Sequence, residues 1–264
     1  MAISPSKIIE LSEQAGKILL EHYFLPPESS VVTTKPDDSP LTDADLQSHE
    51  FLCGELKSLN PAIAIVSEEG LAGSQSDSEP FWLVDPLDGT REFIRRRPEF
   101  TINIALVENQ APVLGVIHVP MRGVTYYAEK NGGAFLKDST QKDKPIHCRT
   151  YSAQNALGFA SQTQGGKEEA RVKKLWPEMQ IEPMASAIKY CLIAEGKADF
   201  YVREHICMAW DTAAAQIILE EAGGALLWLD GNPLRYHRNQ LTNRPFVAVG
   251  DKTFPWRRYL GPTP

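Results

Sequence analysis

The stretch Trp82-Leu83-Val84-Asp85-Pro86-Leu87-Asp88-Gly89-Thr90 restricts this chain more than any other. An apolar run from Phe81 to Val84 leads into two aspartates three residues apart, with Pro86 between them and Gly89 after them. A strand ending in this way sets two carboxylates and a hydroxyl at one sheet edge. Two carboxylates about 4 Å apart repel by roughly 4 kcal/mol at an effective dielectric near 20. Such an edge calls for a cation, and hard divalent ions prefer oxygen ligands. Asp, Pro and Gly also make ordinary turns, so the other acidic positions decide between the two readings.

Those positions recur where elements begin or end. Glu68 and Glu69 follow the apolar run Ile63–Val66, Asp43 and Asp45 open a helical pattern, and Asp211 follows Trp210 at another helix start. Each has a plain alternative, since acidic residues cap helix N-termini and complement the helix dipole. As a set they predict a divalent-metal site built from distant stretches. Four such carboxylates would carry a charge that two Mg²⁺ ions balance.

Composition narrows the partners. The chain has 264 residues, 34 acidic against 27 basic, and a net charge of -7. No basic stripe is available to neutralise a nucleic-acid polymer, although a small phosphorylated substrate remains compatible. Arg91, Arg95, Arg96 and Arg97 form the one dense basic patch, read either as attracting a phosphorylated substrate or as a solvated loop. Cys53, Cys148, Cys191 and Cys207 show no C-x-x-C spacing, so they read as reduced packing thiols of a cytoplasmic protein. No signal-peptide pattern and no transmembrane segment are expected.

Periodicity supplies the coarse elements. Ser4-Pro5 opens a first helix that runs to Tyr23, and Thr42 or Asp43 caps a second that carries Leu46, Leu52, Cys53, Leu56 and Leu59. Strands are predicted at 63–66, 81–84, 101–107, 113–119, 124–128 and 134–136, with a hairpin signal at Asn131-Gly132-Gly133. Beyond a polar stretch at 137–152, helices are predicted near 165–176, 186–195 and 211–222, and strands at 199–202, 225–229 and 246–249. Trp82 and Trp228 read as core. The expected division is an N-terminal α+β region, 1–150, carrying most metal ligands, and a C-terminal α/β region, 151–264, carrying Asp211 and substrate contacts.

Taken in order, the motifs are Lys35, Asp37, Ser39-Pro40, Thr42 and Ala44-Asp45; Ser67-Glu68-Glu69; Asp85 to Thr90; and Trp210 to Ala214. This series resembles the inositol monophosphatase superfamily of lithium-sensitive, Mg²⁺-dependent phosphatases. Thr90-Arg91-Glu92-Phe93-Ile94 and Ser186 to Ala198 are similar to its bacterial 3'(2'),5'-bisphosphate nucleotidase branch, the CysQ type. The resemblance implies an α+β fold, a layered αβαβα sandwich of the inositol monophosphatase and sugar-phosphatase type. It implies two or three Mg²⁺ ions held by Glu68, Asp85, Asp88, Asp211 and the Leu87 carbonyl. Asp45 and Thr90 would activate water. Gly89 and Thr90 would present N–H groups to the phosphate, Ser186, Lys189 and Asp211 would touch substrate, and Glu69 would lie behind the ligands. The implied activity is hydrolysis of adenosine 3',5'-bisphosphate, and of its sulfated form PAPS, within sulfur assimilation. Alternatives are an inositol or sugar-phosphate phosphatase and an inactive nucleotide or metal sensor. A monomer and a homodimer both remain open, as does peripheral association with the inner membrane. Ala185 and Ala215 stand where the family often carries glycine.

Overall fold

The computed structural model describes residues 3–26, 32–35, 40–72, 79–161 and 166–260. Asp37 and Ser39 of the first motif, and Gly165, lie outside them. Helix α1 (Pro5–Tyr23) starts with Pro5 in its first turn, and Ser4 stands at the N-cap without a side-chain capping bond. Its Ile8, Leu11, Ala15 and Leu19 are buried. Strands β1 (Val32–Thr34) and β2 (Pro40–Thr42) form a short antiparallel pair leading into helix α2 (Asp43–Leu59). Leu52 and Leu56 of α2 face the core, whereas Leu46 and Leu59 are about 40% exposed.

The first sheet contains β3 (Ala64–Ser67), β4 (Gly70–Ala72), β5 (Phe81–Asp88), β6 (Thr101–Glu108), β7 (Ala111–Val119), β8 (Val124–Glu129), β9 (Gly133–Lys137) and β10 (Asp143–Pro145). The short helix α3 (Thr90–Ile94) joins β5 to β6. Spatial order is β10-β9-β8-β7-β6-β5-β3-β4, with every pair antiparallel except β3–β5. The hairpin turns use positive φ at Asn109, Gln110, Asn131 and Gly133.

Side-chain alternation splits the sheet between two cores. Trp82, Val84, Ile102 and Ile104 pack under α1 and α2. Phe81, Leu83, Ala105 and Val107 face the other way. On that second face Ala105, Gly115 and Ala128 are register partners across β6, β7 and β8. This row of small residues makes a flat floor for a later helix.

The second sheet is built from β11 (Leu157–Ser161), β12 (Gln180–Met184), β13 (Phe200–Arg203), β15 (Ala225–Trp228) and β17 (Phe246–Val249), in the order β12-β11-β13-β17-β15. Helix α4 (Gly166–Leu175) connects β11 to β12. Helix α5 (Ile188–Ala194) precedes β13. A small ladder, β14 (Cys207–Met208) with β16 (Thr242–Asn243), flanks helix α6 (Ala213–Glu221). Helices α5 and α6 bury Ile188, Ile193, Ile217 and Ile218 in the core shared by the two sheets. Val172 of α4 packs with Trp176, Phe200, Val247 and Trp256 on the far face of the second sheet. The layers therefore run helix, sheet, helix, sheet, helix: the αβαβα sandwich.

Four local expectations change. Strands β11 and β12 replace a stretch with no predicted strand; both are five residues long, and β12 is a mostly solvent-facing edge carrying Pro183. The helix predicted over 186–195 begins only at Ile188 because Ser186 adopts φ +50°. The helix predicted from Asp211 is interrupted at Thr212: a 3₁₀ turn spans Ala209–Asp211, and α6 starts at Ala213. Trp82 is fully buried, but Trp228 is half-buried, with the Arg244 guanidinium 4.0 Å from its ring centroid.

Candidate active site

The end of β5 organises the site. Pro86 and a register shift between Asp85 and Asp88 break its ladder with β6, and the Ser48 hydroxyl donates to the freed Pro86 carbonyl at 2.9 Å. Asp85 remains on the face toward α5 and α6. Among the described residues its one hydrogen-bond donor is the Leu87 N–H, 3.1 Å away. Asp88 receives the Thr101 hydroxyl and the Asn103 amide, each at 3.3 Å. Gly89 then takes φ +98°, which only glycine adopts without strain, and an added Cβ would lie 2.8 Å from the Glu99 carbonyl.

Thr90 opens α3 with its hydroxyl 3.2 Å from Asp45 Oδ1 and 3.1 Å from the Leu87 carbonyl. Asp45 sits in a capping box: its Oδ2 accepts the Thr42 N–H at 2.8 Å and the Thr42 hydroxyl at 2.5 Å. Burial nevertheless dominates and raises its pKa to about 6.

Glu68, Asp85, Leu87, Asp88, Gly89, Thr90 and Asp211 line one cavity of about 300 Å³. A neighbouring lobe of about 140 Å³ adds Ser186, Lys189 and Tyr190, and shares Asp88, Gly89, Glu92, Arg203, Cys207 and Asp211 with the first. Every predicted metal, catalytic and substrate residue except Asp45 therefore borders this double cavity, and Asp45 reaches it through Thr90. The carboxylates feel one another. Burial, then Glu68, Asp88 and Asp211, hold the Asp85 carboxyl well above its usual range. Burial and Asp88 lift Asp211 to about 6. Glu68 rises to about 7, chiefly through burial, against the lowering pull of Lys35.

The sequence singled out Lys35 as the start of the first motif, but not its partners. Lys35 Nζ lies 2.7 Å from Glu68 and 2.6 Å from Glu69, placing an internal cation against the acidic turn. Among the described residues no three His, Cys, Asp or Glu side chains stand ready to hold one metal ion. The donor set still suits a hard divalent ion: it is all oxygen, mutually repelling, and Asp85 is short of donors.

Among the described residues, two basic side chains line the smaller lobe. Lys189, buried, donates to the Ser186 carbonyl and stands 5.1 Å from the ring centroids of both Tyr190 and Tyr201. Burial lowers its pKa to about 8. Arg203, at the end of β13, has a buried Nε without a hydrogen-bond partner. Of the basic patch, Arg91 lines the cavity, whereas Arg96 bonds the His22, Tyr23 and Leu25 carbonyls and closes the end of α1. Sequence reasoning missed Arg203, Glu92, Tyr190 and Cys207 as wall residues. Glu92 lies on α3, which follows the acidic end of β5 after a single glycine.

The sequence profile of the inositol monophosphatase family matches residues 6–253. The chain is 38% identical over 256 residues to the 3'(2'),5'-bisphosphate nucleotidase CysQ of Aggregatibacter actinomycetemcomitans, covering 94% of this chain and 93% of that protein. It is 36% identical over 258 residues to CysQ of Haemophilus influenzae, covering 96% and 94%. Among solved structures, CysQ from Bacteroides thetaiotaomicron superposes with a TM-score of 0.77 at 33% identity, over 92% of this chain and 96% of that one. An IMPase from Thermotoga maritima superposes with a TM-score of 0.78 at 26% identity, over 93% and 91%. With its five layers and its acidic β5 terminus, the chain belongs to the inositol monophosphatase family.

Proposed function

We propose that the protein is a Mg²⁺-dependent 3'(2'),5'-bisphosphate nucleotidase. It removes the 3'-phosphate of adenosine 3',5'-bisphosphate to give AMP and phosphate, and also accepts PAPS. One observation carries the reading: carboxylates from three separate stretches, the buried Lys189 and the part-buried Arg203 border one double cavity. An inositol phosphate has a single phosphate to place, whereas a bisphosphonucleotide has a second that needs such cations. The names of the CysQ relatives point the same way.

Glu68, Asp85, Asp88, Asp211 and the Leu87 carbonyl would hold the ions. When bound, Mg²⁺ supplies positive charge for the phosphoryl oxygens and the leaving oxygen and makes water more acidic. The chain's own groups handle the proton. The Thr90 hydroxyl takes it from the attacking water while passing its own to Asp45 Oδ1, 3.2 Å away. A carboxyl with a pKa of about 6 is a competent acceptor near neutrality. The leaving ribose oxygen takes a proton from solvent water and Asp45 releases the one it accepted back to solvent, so water, ester, alcohol and phosphate balance. Gly89 and Thr90 present their N–H groups to the scissile phosphate, and Lys189 and Arg203 face the second phosphate.

A phosphate-release screen across adenosine 3',5'-bisphosphate, PAPS, inositol 1-phosphate and sugar phosphates, with and without Mg²⁺, tests this. The bisphosphonucleotide should lead, Li⁺ should inhibit where equal Na⁺ does not, and Asp88→Asn should lose activity while keeping its fold. Faster hydrolysis of inositol 1-phosphate, or near-normal turnover by Asp88→Asn, would overturn the assignment.

A further inference from the structure

Glu92 stands out among the wall residues. Its side chain is 5% exposed, and its Oε1 has no hydrogen-bond partner. A buried acceptor left unmatched is uncommon and asks for an explanation. Glu92 borders both lobes of the cavity, beside Asp88 and Gly89 on one side and Ser186, Lys189 and Arg203 on the other. A carboxyl repels phosphate, so neither phosphate of a substrate rests against it. What its Oε1 lacks is a donor. Because Lys189 and Arg203 already fill the cationic role in this cavity, a neutral O–H matches it better than a further ammonium.

Position decides which hydroxyl. Asp88 and Glu92 line both lobes together, so an alcohol whose phosphate lies at Asp88 can set a neighbouring hydroxyl against Glu92. We infer that Glu92 accepts a hydrogen bond from the hydroxyl vicinal to the scissile phosphate, the ribose 2'-OH of a 3'-phosphonucleotide. This inference deepens the phosphatase reading above and rests on it. It makes Glu92 a specificity residue that selects a diol phosphate over an otherwise equal deoxy substrate. The Thr90–Asp45 proton path does not involve it.

The test compares kcat/KM for adenosine 3',5'-bisphosphate and its 2'-deoxy counterpart, in the wild type and in Glu92→Gln and Glu92→Leu. Loss of one hydrogen bond to a carboxylate is worth ~10- to 100-fold, so the wild type should prefer the ribo substrate by at least about tenfold. In Glu92→Leu that ratio should fall below about threefold, whatever happens to absolute rates, while Glu92→Gln, whose amide oxygen still accepts a hydrogen bond, should give a ratio between those of Glu92→Leu and the wild type. A purely structural role would depress both substrates together and leave the ratio in place. A wild-type ratio within about twofold overturns the inference without any variant, so a variant that fails to fold does not protect it. An unchanged ratio accompanied by a roughly tenfold shift in the Mg²⁺ dependence overturns it too, because Glu92 would then serve the metal. If bisphosphonucleotides are not hydrolysed but polyol phosphates are, the nucleotidase reading falls alone. Inositol 1-phosphate against cyclohexyl phosphate then gives the same ratio test, with the same outcomes for and against. Hydrolysis of none of these sinks both.

Discussion

Replacing Gly115 by alanine should damage the site from a distance. Gly115 lies in β7 between Ala105 and Ala128, on the floor beneath α6. A Cβ there would come within 2.6 Å of Ile217 Cγ2, 2.7 Å of the Ala214 carbonyl and 2.9 Å of Ala214 Cα. Two of the three are helix backbone, which cannot rotate aside. Ordinary contact begins near 3.4 Å, so α6 must move by about 0.7 Å. Overpacking of this kind costs about 2–3 kcal/mol, or roughly 5–10 °C of melting temperature at this chain length. Asp211 sits on the turn that feeds α6, and a 1 Å misplacement of a catalytic group can cost about 100-fold in rate. Turnover should therefore drop by about tenfold or more. Thermal unfolding and single-turnover phosphate release measure the two effects. Gly54→Ala is the control: it adds the same methyl in the middle of α2 with nothing within 4 Å, and should stabilise by roughly 0.5–1 kcal/mol. Should Gly115→Ala melt within a degree of wild type and keep its turnover within about twofold, α6 is not seated on the sheet as described.

Two further outcomes follow from charge. His118, buried beside Thr125 with its Nδ1 2.8 Å from that hydroxyl, has its pKa lowered by burial from 6.5 to about 4. The folded state prefers it neutral, so its contribution is complete above pH 6.5 and is lost as pH falls toward 4, about 2 kcal/mol of it between pH 7 and pH 5. Urea titrations should show that His118→Gln loses less stability than wild type over that interval; parallel curves would refute the assignment. Lys189, with its pKa lowered to about 8, is charged below that pH and neutral above it. KM for the bisphosphonucleotide should rise on passing from pH 7 to pH 9, and Lys189→Met should flatten that rise; an equal rise in the variant would place the titration elsewhere.

What could be read from the chain, and what could not, divides along the range of the interactions involved. The β5 terminus was legible because its strand, turn and helix start are contiguous. Thr42 and Asp45 were legible as a cap because three residues suffice to form one. The apolar runs of β5 and β6 announced strands buried on both faces. By contrast, Lys35 meets Glu68 and Glu69 across 33 and 34 residues, and no local pattern predicts that encounter. Arg203 joins the cavity only because β13 pairs with β11 and β17. The small-residue row under α6 exists only in the sheet register, since Ala105, Gly115 and Ala128 are unremarkable one at a time. Strands β11 and β12 escaped notice because short segments with a half-exposed edge show neither clean alternation nor a long apolar run.

Arg96 ties the first helix of the chain to the turn that immediately follows α3, holding three carbonyls at the end of α1 while its guanidinium lies 5.3 Å from the Tyr23 ring centroid. The helix that carries Thr90 is five residues long and could not keep its shape in isolation. It borrows its rigidity from a mooring post laid down 73 residues earlier in the chain. Injury to the N-terminal helix would therefore surface first as a slack proton path, well before the sandwich itself came apart.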